Sequence, residues 1–234
     1  MSSEALEKVR GVRELPLFPL PVVLFPGVPL PLHIFEPRYR RLLADVRASN
    51  SLFGLSYFDA AGGGERPPAG HVGCAAEVIE VQPVPDGRSN ILTVGVARYR
   101  AGEYVERGDP YLVARVEFFA DEEADARVLE KRAAEVTEVF MRIARAMRTI
   151  NDDRAALPEL PDSDPERLSF LVAAVMEMDA PAKQELLEMR STAERLRRLY
   201  TLLSQAVGDY EARARTHQLA RGNGHAGKRF DLGE

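Results

Sequence analysis

The residue types that most often do chemistry are few in this chain and far apart. Four histidines occur, His33, His71, His217 and His225, and none has a second histidine three to five residues away. A zinc site needs converging ligands, and the single cysteine, Cys74, offers no paired-thiol motif. Cys74 stands in Val72-Gly73-Cys74-Ala75-Ala76, whose composition reads as a buried strand, where a thiol is a packing group rather than a nucleophile. The triplet Gly62-Gly63-Gly64 runs into Glu65-Arg66-Pro67-Pro68, not into the Gly-Lys-Ser/Thr that carries a phosphate loop into its helix. No Gly-x-Ser-x-Gly elbow is present. Acid pairs such as Glu122-Glu123 and Asp152-Asp153 suit helix ends and turns. The basic run Arg38, Arg40, Arg41 around Tyr39 has the chemistry to hold phosphate or an acidic partner, although such runs more often form a solvated face. These residues predict no enzyme, no metal and no cofactor.

The elements that must position these groups fall into two textures that meet near residue 120. Before it the chain is rich in Pro, Gly and Val. After it Ala, Leu, Glu and Arg recur at helical spacing. Leu30, Leu32 and Ile34 alternate with Pro31, His33 and Phe35 at the two-residue period of a strand. Glu36-Pro37 then opens a helix striped by Tyr39, Leu42, Leu43 and Val46, with proline where its missing N–H is no loss. Strands are expected over 52–58, 72–84, 90–100 and 112–118, the middle pair joined through Pro85-Asp86-Gly87. Residues 60–68 read as a flexible surface loop.

In the second half, Leu129, Ala133, Val136, Phe140, Ile143, Met147 and Ile150 form one seam on a long helix. Asp164-Pro165 starts a helix carrying Leu168, Leu171, Val172, Val175 and Met176; a short one spans 180–189. Ser191-Thr192-Ala193-Glu194 matches a capping box before the stripe Leu196, Leu199, Tyr200, Leu203 and Val207. The expected organisation is a β domain at 1–120, an α-helical bundle at 121–212 and a disordered tail at 213–234.

A length of 234 residues with 45% hydrophobic content allows a self-sufficient core. The net charge of -5 weighs against a surface built for nucleic acid. The polar start Met1-Ser2-Ser3-Glu4 carries no secretory h-region, and one thiol suits a reducing compartment, so a cytoplasmic location is expected. The most apolar stretch, 15–35, is interrupted by prolines every few residues and cannot span a membrane as a helix.

The run Glu14 to Leu43, ELPLFPLPVVLFPGVPLPLHIFEPRYRRLL, resembles the opening of the Lon protease amino-terminal domain family. Val72 to Val78, the Pro85-Asp86-Gly87 hairpin with Ile91 to Arg100, and the helical segments around Asp164-Pro165, Lys183 to Glu188 and Arg195-Leu196 extend the likeness to about residues 12–208. The resemblance implies an α+β fold, a PUA-like, partly closed antiparallel β-barrel followed by an α-helical bundle. In complete Lon proteases that region precedes an ATPase and a Ser-Lys protease domain and helps engage unfolded or damaged proteins. This chain carries neither the ATPase phosphate loop nor a protease segment, so no catalytic residue carries over and a stand-alone member is expected.

The expected function is non-catalytic binding of unfolded or extended polypeptide segments, as an adaptor or chaperone-like factor in protein quality control, with a protease or chaperone as a further partner. A barrel beside a bundle leaves a groove for an extended chain. His33, Phe35, Glu36, Arg38 and Tyr39, where strand turns to helix, are the candidate lining. The competing reading makes Phe35 and Tyr39 core and the charges a helix cap. RNA binding is the alternative that the PUA-like barrel suggests, disfavoured by 7% aromatic content and acidity. An unrecognised hydrolase is the third. A homo-oligomer is left open, and no membrane partner is expected.

Overall fold

The computed structural model describes residues 3–59, 66–152, 160 and 164–223. Its helices and strands are α1 (Ser3–Val9), β1 (Glu14–Leu20), β2 (Pro29–Ile34), α2 (Pro37–Arg47), β3 (Leu52–Tyr57), β4 (Val72–Val84), β5 (Arg88–Tyr104), β6 (Leu112–Phe118), α3 (Ala126–Ile150), α4 (Pro165–Val175), α5 (Ala180–Glu188) and α6 (Thr192–Asn223). They fall into two compact units, Met1–Glu123 with Glu166–Thr192, and Ala124–Pro165 with Ala193–Glu234. The sheet therefore shares its unit with α5 and nearly all of α4.

The six strands form one sheet in the order β2-β5-β4-β3-β1-β6, and a further β5–β6 pairing closes five of them into a ring of hydrogen bonds. The expected α+β class is the one observed. One pairing departs from an antiparallel pattern: β1 runs parallel to β3, because β2 and α2 form the long crossover between them that parallel neighbours require. Strand β5 pairs with three others: with β4 over most of its length, with β2 through Ser89–Val94, and with β6 through its far end from Tyr99 to Tyr104.

Two prolines sit inside β1, which lies between β3 and β6. Each half of β1 has its own partner: Glu14 to Leu17 pair with β6, and Leu17 to Leu20 with β3. Pro16 and Pro19 thus occupy stretches with a neighbour on one side only, where a missing donor is tolerated.

The strand unit has two apolar clusters. One joins Phe18, Phe53, Leu55 and Ile91 of the sheet to the buried stripe Tyr39, Leu42, Leu43 and Val46 of α2, as the helical spacing predicts. The other surrounds Tyr99, fully buried, whose hydroxyl lies 2.7 Å from Ser56 Oγ. Burial pushes the Tyr99 phenol up, with the Ser56 hydrogen bond opposing. Gly73 leaves room for this ring, since a Cβ there would crowd the Tyr99 hydroxyl and meet the Leu55 carbonyl oxygen at 2.6 Å.

In the helical unit, α3 buries Val136, Phe140 and Ile143 of the predicted seam together with Val139 and Ala146, which lay outside it, and leaves Leu129, Ala133, Met147 and Ile150 half-buried. Asp125 caps it by accepting from the Arg127 and Val128 N–H groups. Helix α6 buries Leu196, Leu199, Leu203 and Val207, but Tyr200 is exposed. Arg142 lies 2.9 Å from Glu211, and His217 lies 3.3 Å from Asp152; both pairs advance together along α3 and α6, so the two helices run in the same direction. Helix α6 continues through 213–223, and the rest of the expected disordered tail lies outside the described residues. Helix α4 differs from its predicted stripe: Phe170 and Ala173 are buried and Val175 is exposed. The reason is a neighbour the periodicity cannot foresee, Phe25, whose ring centroid is 6.0 Å from that of Phe170.

Candidate functional site

The five residues singled out in the sequence lie on one short passage, from the end of β2 through a two-residue turn into α2. Leu30, Leu32 and Ile34 turn toward the core, so Pro29, Pro31 and His33 face solvent by the strand's alternation. Beyond the strand, Phe35 is 55% exposed. That is a large apolar group held out of the core at a cost, since burying such a ring is worth about 1.5–3 kcal/mol.

The ring is not loose. It stacks on His33 at a centroid distance of 6.0 Å and an interplanar angle of 20°. The His33 Nδ1 lies 2.7 Å from Asn90 Oδ1, and Asn90 is the residue directly opposite His33 on β5. The same register sets Leu92 opposite Pro31 and Val94 opposite Pro29. Exposed Ile79 falls at an irregularity of β4 beside Glu80, which itself pairs with Leu92. An apolar face with a few polar groups results, carried by β2, β5 and β4.

Tyr39 belongs to the core. It is 6% exposed, its ring is 3.9 Å from that of Phe18, and burial pushes its phenol up. The structure thus separates the two aromatic residues: Tyr39 packs and Phe35 projects. Glu36 is the residue before α2, but its carboxylate makes no cap hydrogen bond and instead accepts from Arg38 Nε at 2.9 Å. The Arg38 guanidinium also lies 4.6 Å above the Tyr39 ring, on its outer side.

The basic run does not form an open phosphate site, because each cation has an internal partner. Arg38 pairs with Glu36, Arg41 with Asp45 at 2.8 Å, and Arg40 donates to the backbone carbonyls of Phe35 and Asp86. Asp45 also accepts from the Tyr111 hydroxyl, and these two hydrogen bonds hold its carboxyl below the ordinary carboxylate range.

Strand β2 has no second neighbour among the described residues. The Gly95 N–H donates to Val28 O, which sets the phase of the ladder: the Val28 carbonyl and the backbone polar groups of Leu30, Leu32 and Ile34 are directed at β5. The outward positions are then Pro29, Pro31 and His33, and two of these have no N–H. That edge is closed to regular strand addition.

A second polar constellation is buried and sealed. Arg98, 2% exposed, donates to the carbonyls of Leu187 at 2.9 Å and Met189 at 2.5 Å, and it ion-pairs with Asp121. Asp121 also accepts from the Thr192 hydroxyl, and the Arg98 guanidinium lies 4.6 Å from the Phe119 ring. This network ties β5 to the end of α5 and to the segment leaving β6. It is structural, and sequence reading missed it because Ala97-Arg98-Tyr99 gives no sign of which side of β5 is covered.

Other residues weighed in the sequence do not converge. Cys74 is fully buried in β4, with its thiol pushed up to about 12 by burial. His71 is half-buried, and burial pushes its pKa down. His225, Asp153 and Gly62-Gly63-Gly64 lie outside the described residues. Among the described residues no group of three or more His, Cys, Asp or Glu side chains gathers to hold a metal ion, and no helix is long and apolar enough to cross a membrane.

This combination of a ring-closed mixed sheet and helices is a fold already seen in solved structures. The N-terminal domain of Mycobacterium avium complex Lon protease superposes with a TM-score of 0.64 at 19% identity, covering 82% of this chain and 98% of that one. Residues 14–205 match the family model of the ATP-dependent protease La (LON) substrate-binding domain, and the chain belongs to that family. Among curated relatives, Lon protease of Phenylobacterium zucineum is 27% identical over 208 residues, 86% of this chain and 26% of the relative. Lon protease 2 of Thermus thermophilus is 31% identical over 147 residues, 63% of this chain and 18% of the relative. The chain thus spans about a quarter or less of the curated relatives it matches.

Proposed function

We propose that this chain is a non-catalytic recognition module for unfolded or extended polypeptide segments, acting in the cytoplasm as a substrate adaptor or chaperone-like factor in protein quality control. Membership of the Lon substrate-binding family supports the class of ligand. The observation that carries the site is the Phe35 ring, more than half exposed yet stacked on a hydrogen-bonded histidine. Covering roughly 100 Å² of such a ring returns about 2.5 kcal/mol, enough to matter in a weak and sequence-tolerant complex. His33, Glu36 and Arg38 form the polar border of this contact, with Tyr39 beneath Arg38 as its support. The proline-blocked edge of β2 supports recognition through ligand side chains rather than through a shared backbone ladder.

The test is a titration of fluorescently labelled, reduced and carboxymethylated α-lactalbumin, with native α-lactalbumin as control. Saturable binding of the unfolded form alone is the expected result. Casein incubated with the protein, with and without ATP, is expected to remain intact. Equal affinity for both forms of α-lactalbumin, or turnover of casein or ATP by contaminant-free material, contradicts the proposal.

A further inference from the structure

We infer that Arg40 is a positioning residue that presents the Phe35 ring, by clamping the β2–α2 turn to the tip of the β4–β5 hairpin. This rests on the proposed role of Phe35. Arg40 lies in the first turns of α2 and is half-buried. Its Nε donates to Phe35 O at 2.9 Å and its Nη1 to Asp86 O at 2.8 Å. Among the described residues no carboxylate lies within ion-pair distance of this guanidinium, so its hydrogen bonds go to backbone of two segments that are distant in sequence. A planar fork with fixed donor directions suits such a bridge; an ammonium on a flexible stem does not reproduce it.

The hairpin tip is shaped to meet it. Asp86 and Gly87 both have positive φ, 65° and 70°, within the three-residue connection Pro85–Gly87 that turns the chain between the paired residues Val84 and Arg88. A Cβ at Gly87 would stand 3.0 Å from Arg40 Nη1, so glycine serves both the turn and the approach of the guanidinium. Phe35 is therefore held three ways: its carbonyl by Arg40, its ring by His33, and His33 by Asn90. Preorganising an exposed ring removes part of the ordering entropy that a ligand would otherwise have to offset.

Arg40 acts through Phe35 and does not itself touch the ligand, which a double-mutant cycle with an independent spectroscopic readout tests. The full chain carrying 4-fluorophenylalanine at position 35 is compared with its Arg40→Met and Arg40→Lys variants by fluorine NMR. The Lys variant keeps the charge and guards against a folding failure of the Met variant. Both are expected to shift and narrow the position-35 resonance as the ring is released. Binding of unfolded α-lactalbumin is expected to weaken about fivefold in each, and Arg40→Met added to Phe35→Ala to change nothing further. An unchanged fluorine spectrum in the Lys variant, or in both, overturns the positioning role, as does an Arg40→Met loss that persists in full without the Phe35 ring. If Phe35→Ala binds like the parent while the fluorine spectrum still responds to Arg40, the clamp stands and the assignment of Phe35 to ligand binding falls.

Discussion

The strand unit treats its two most conspicuous arginines in opposite ways, and the contrast separates architecture from the proposed recognition. At the centre of β5 a charge is buried: Arg98 is sealed under Phe119 and Phe170, with Asp121 and the carbonyls of Leu187 and Met189 as partners. At the β2–α2 turn an apolar ring is left outside, and Arg40 uses its hydrogen bonds to keep the backbone beneath that ring in place. A buried, fully partnered charge offers a ligand nothing, and removing it leaves unsatisfied groups. An exposed ring contributes little to folding and is free to be covered. Stability should therefore follow the first region and binding the second.

The largest break in that comparison comes from Arg98→Met. It strands the Asp121 carboxylate and two carbonyls away from water, and urea denaturation should show a loss of about 3–5 kcal/mol. If the loss were under about 1 kcal/mol, the network would not be the structural tie described. Next comes Gly73→Ala, which drives a methyl group against the Tyr99 hydroxyl and the Leu55 carbonyl oxygen. Overpacking of this kind should cost about 1–3 kcal/mol in the same experiment.

A smaller effect is set by pH. Burial raises the Cys74 thiol to about 12 and pushes the Tyr99 phenol up as well. A raised folded pKa gives stability that is whole below the unfolded value and lost as pH climbs toward the folded one. Unfolding free energy should be level near neutrality and fall from about pH 9 upward, and Cys74→Ala should flatten that fall. Iodoacetamide should leave native Cys74 unmodified at pH 8 and label it in denaturant; ready labelling of the native protein would contradict its burial. The smallest effect on stability belongs to Phe35→Ala, expected within about 0.5 kcal/mol of the parent, although binding should weaken about tenfold.

Much of this fold was legible in the sequence because local physics specified it. Prolines and alternation located β2, Glu36-Pro37 located α2, and Pro85-Asp86-Gly87 located the hairpin whose left-handed residues now meet Arg40. The family motifs were equally local, and the family model spans the same stretch. What escaped depended on contacts between distant residues. The parallel β1–β3 pairing rests on a crossover that no strand pattern reveals, and the inward turn of Phe170 needs Phe25 as neighbour. At the proposed site, the sequence put His33, Phe35 and Tyr39 forward together, but the exposure of one aromatic residue and the burial of the other were not legible in it. Asn90, Leu92 and Arg40 join the face through the β2–β5 register and the hairpin tip, which lie beyond the reach of periodicity.

Phe35 and Val175 make a matched pair for the decisive measurement, since they are 55% and 56% exposed in the same compact unit. Replacing each in turn with p-benzoylphenylalanine and irradiating in the presence of unfolded α-lactalbumin compares a proposed contact with an equally accessible control. The account predicts strong cross-linking from position 35 and little from position 175. Equal yields from the two positions, or a larger yield from 175, would contradict it.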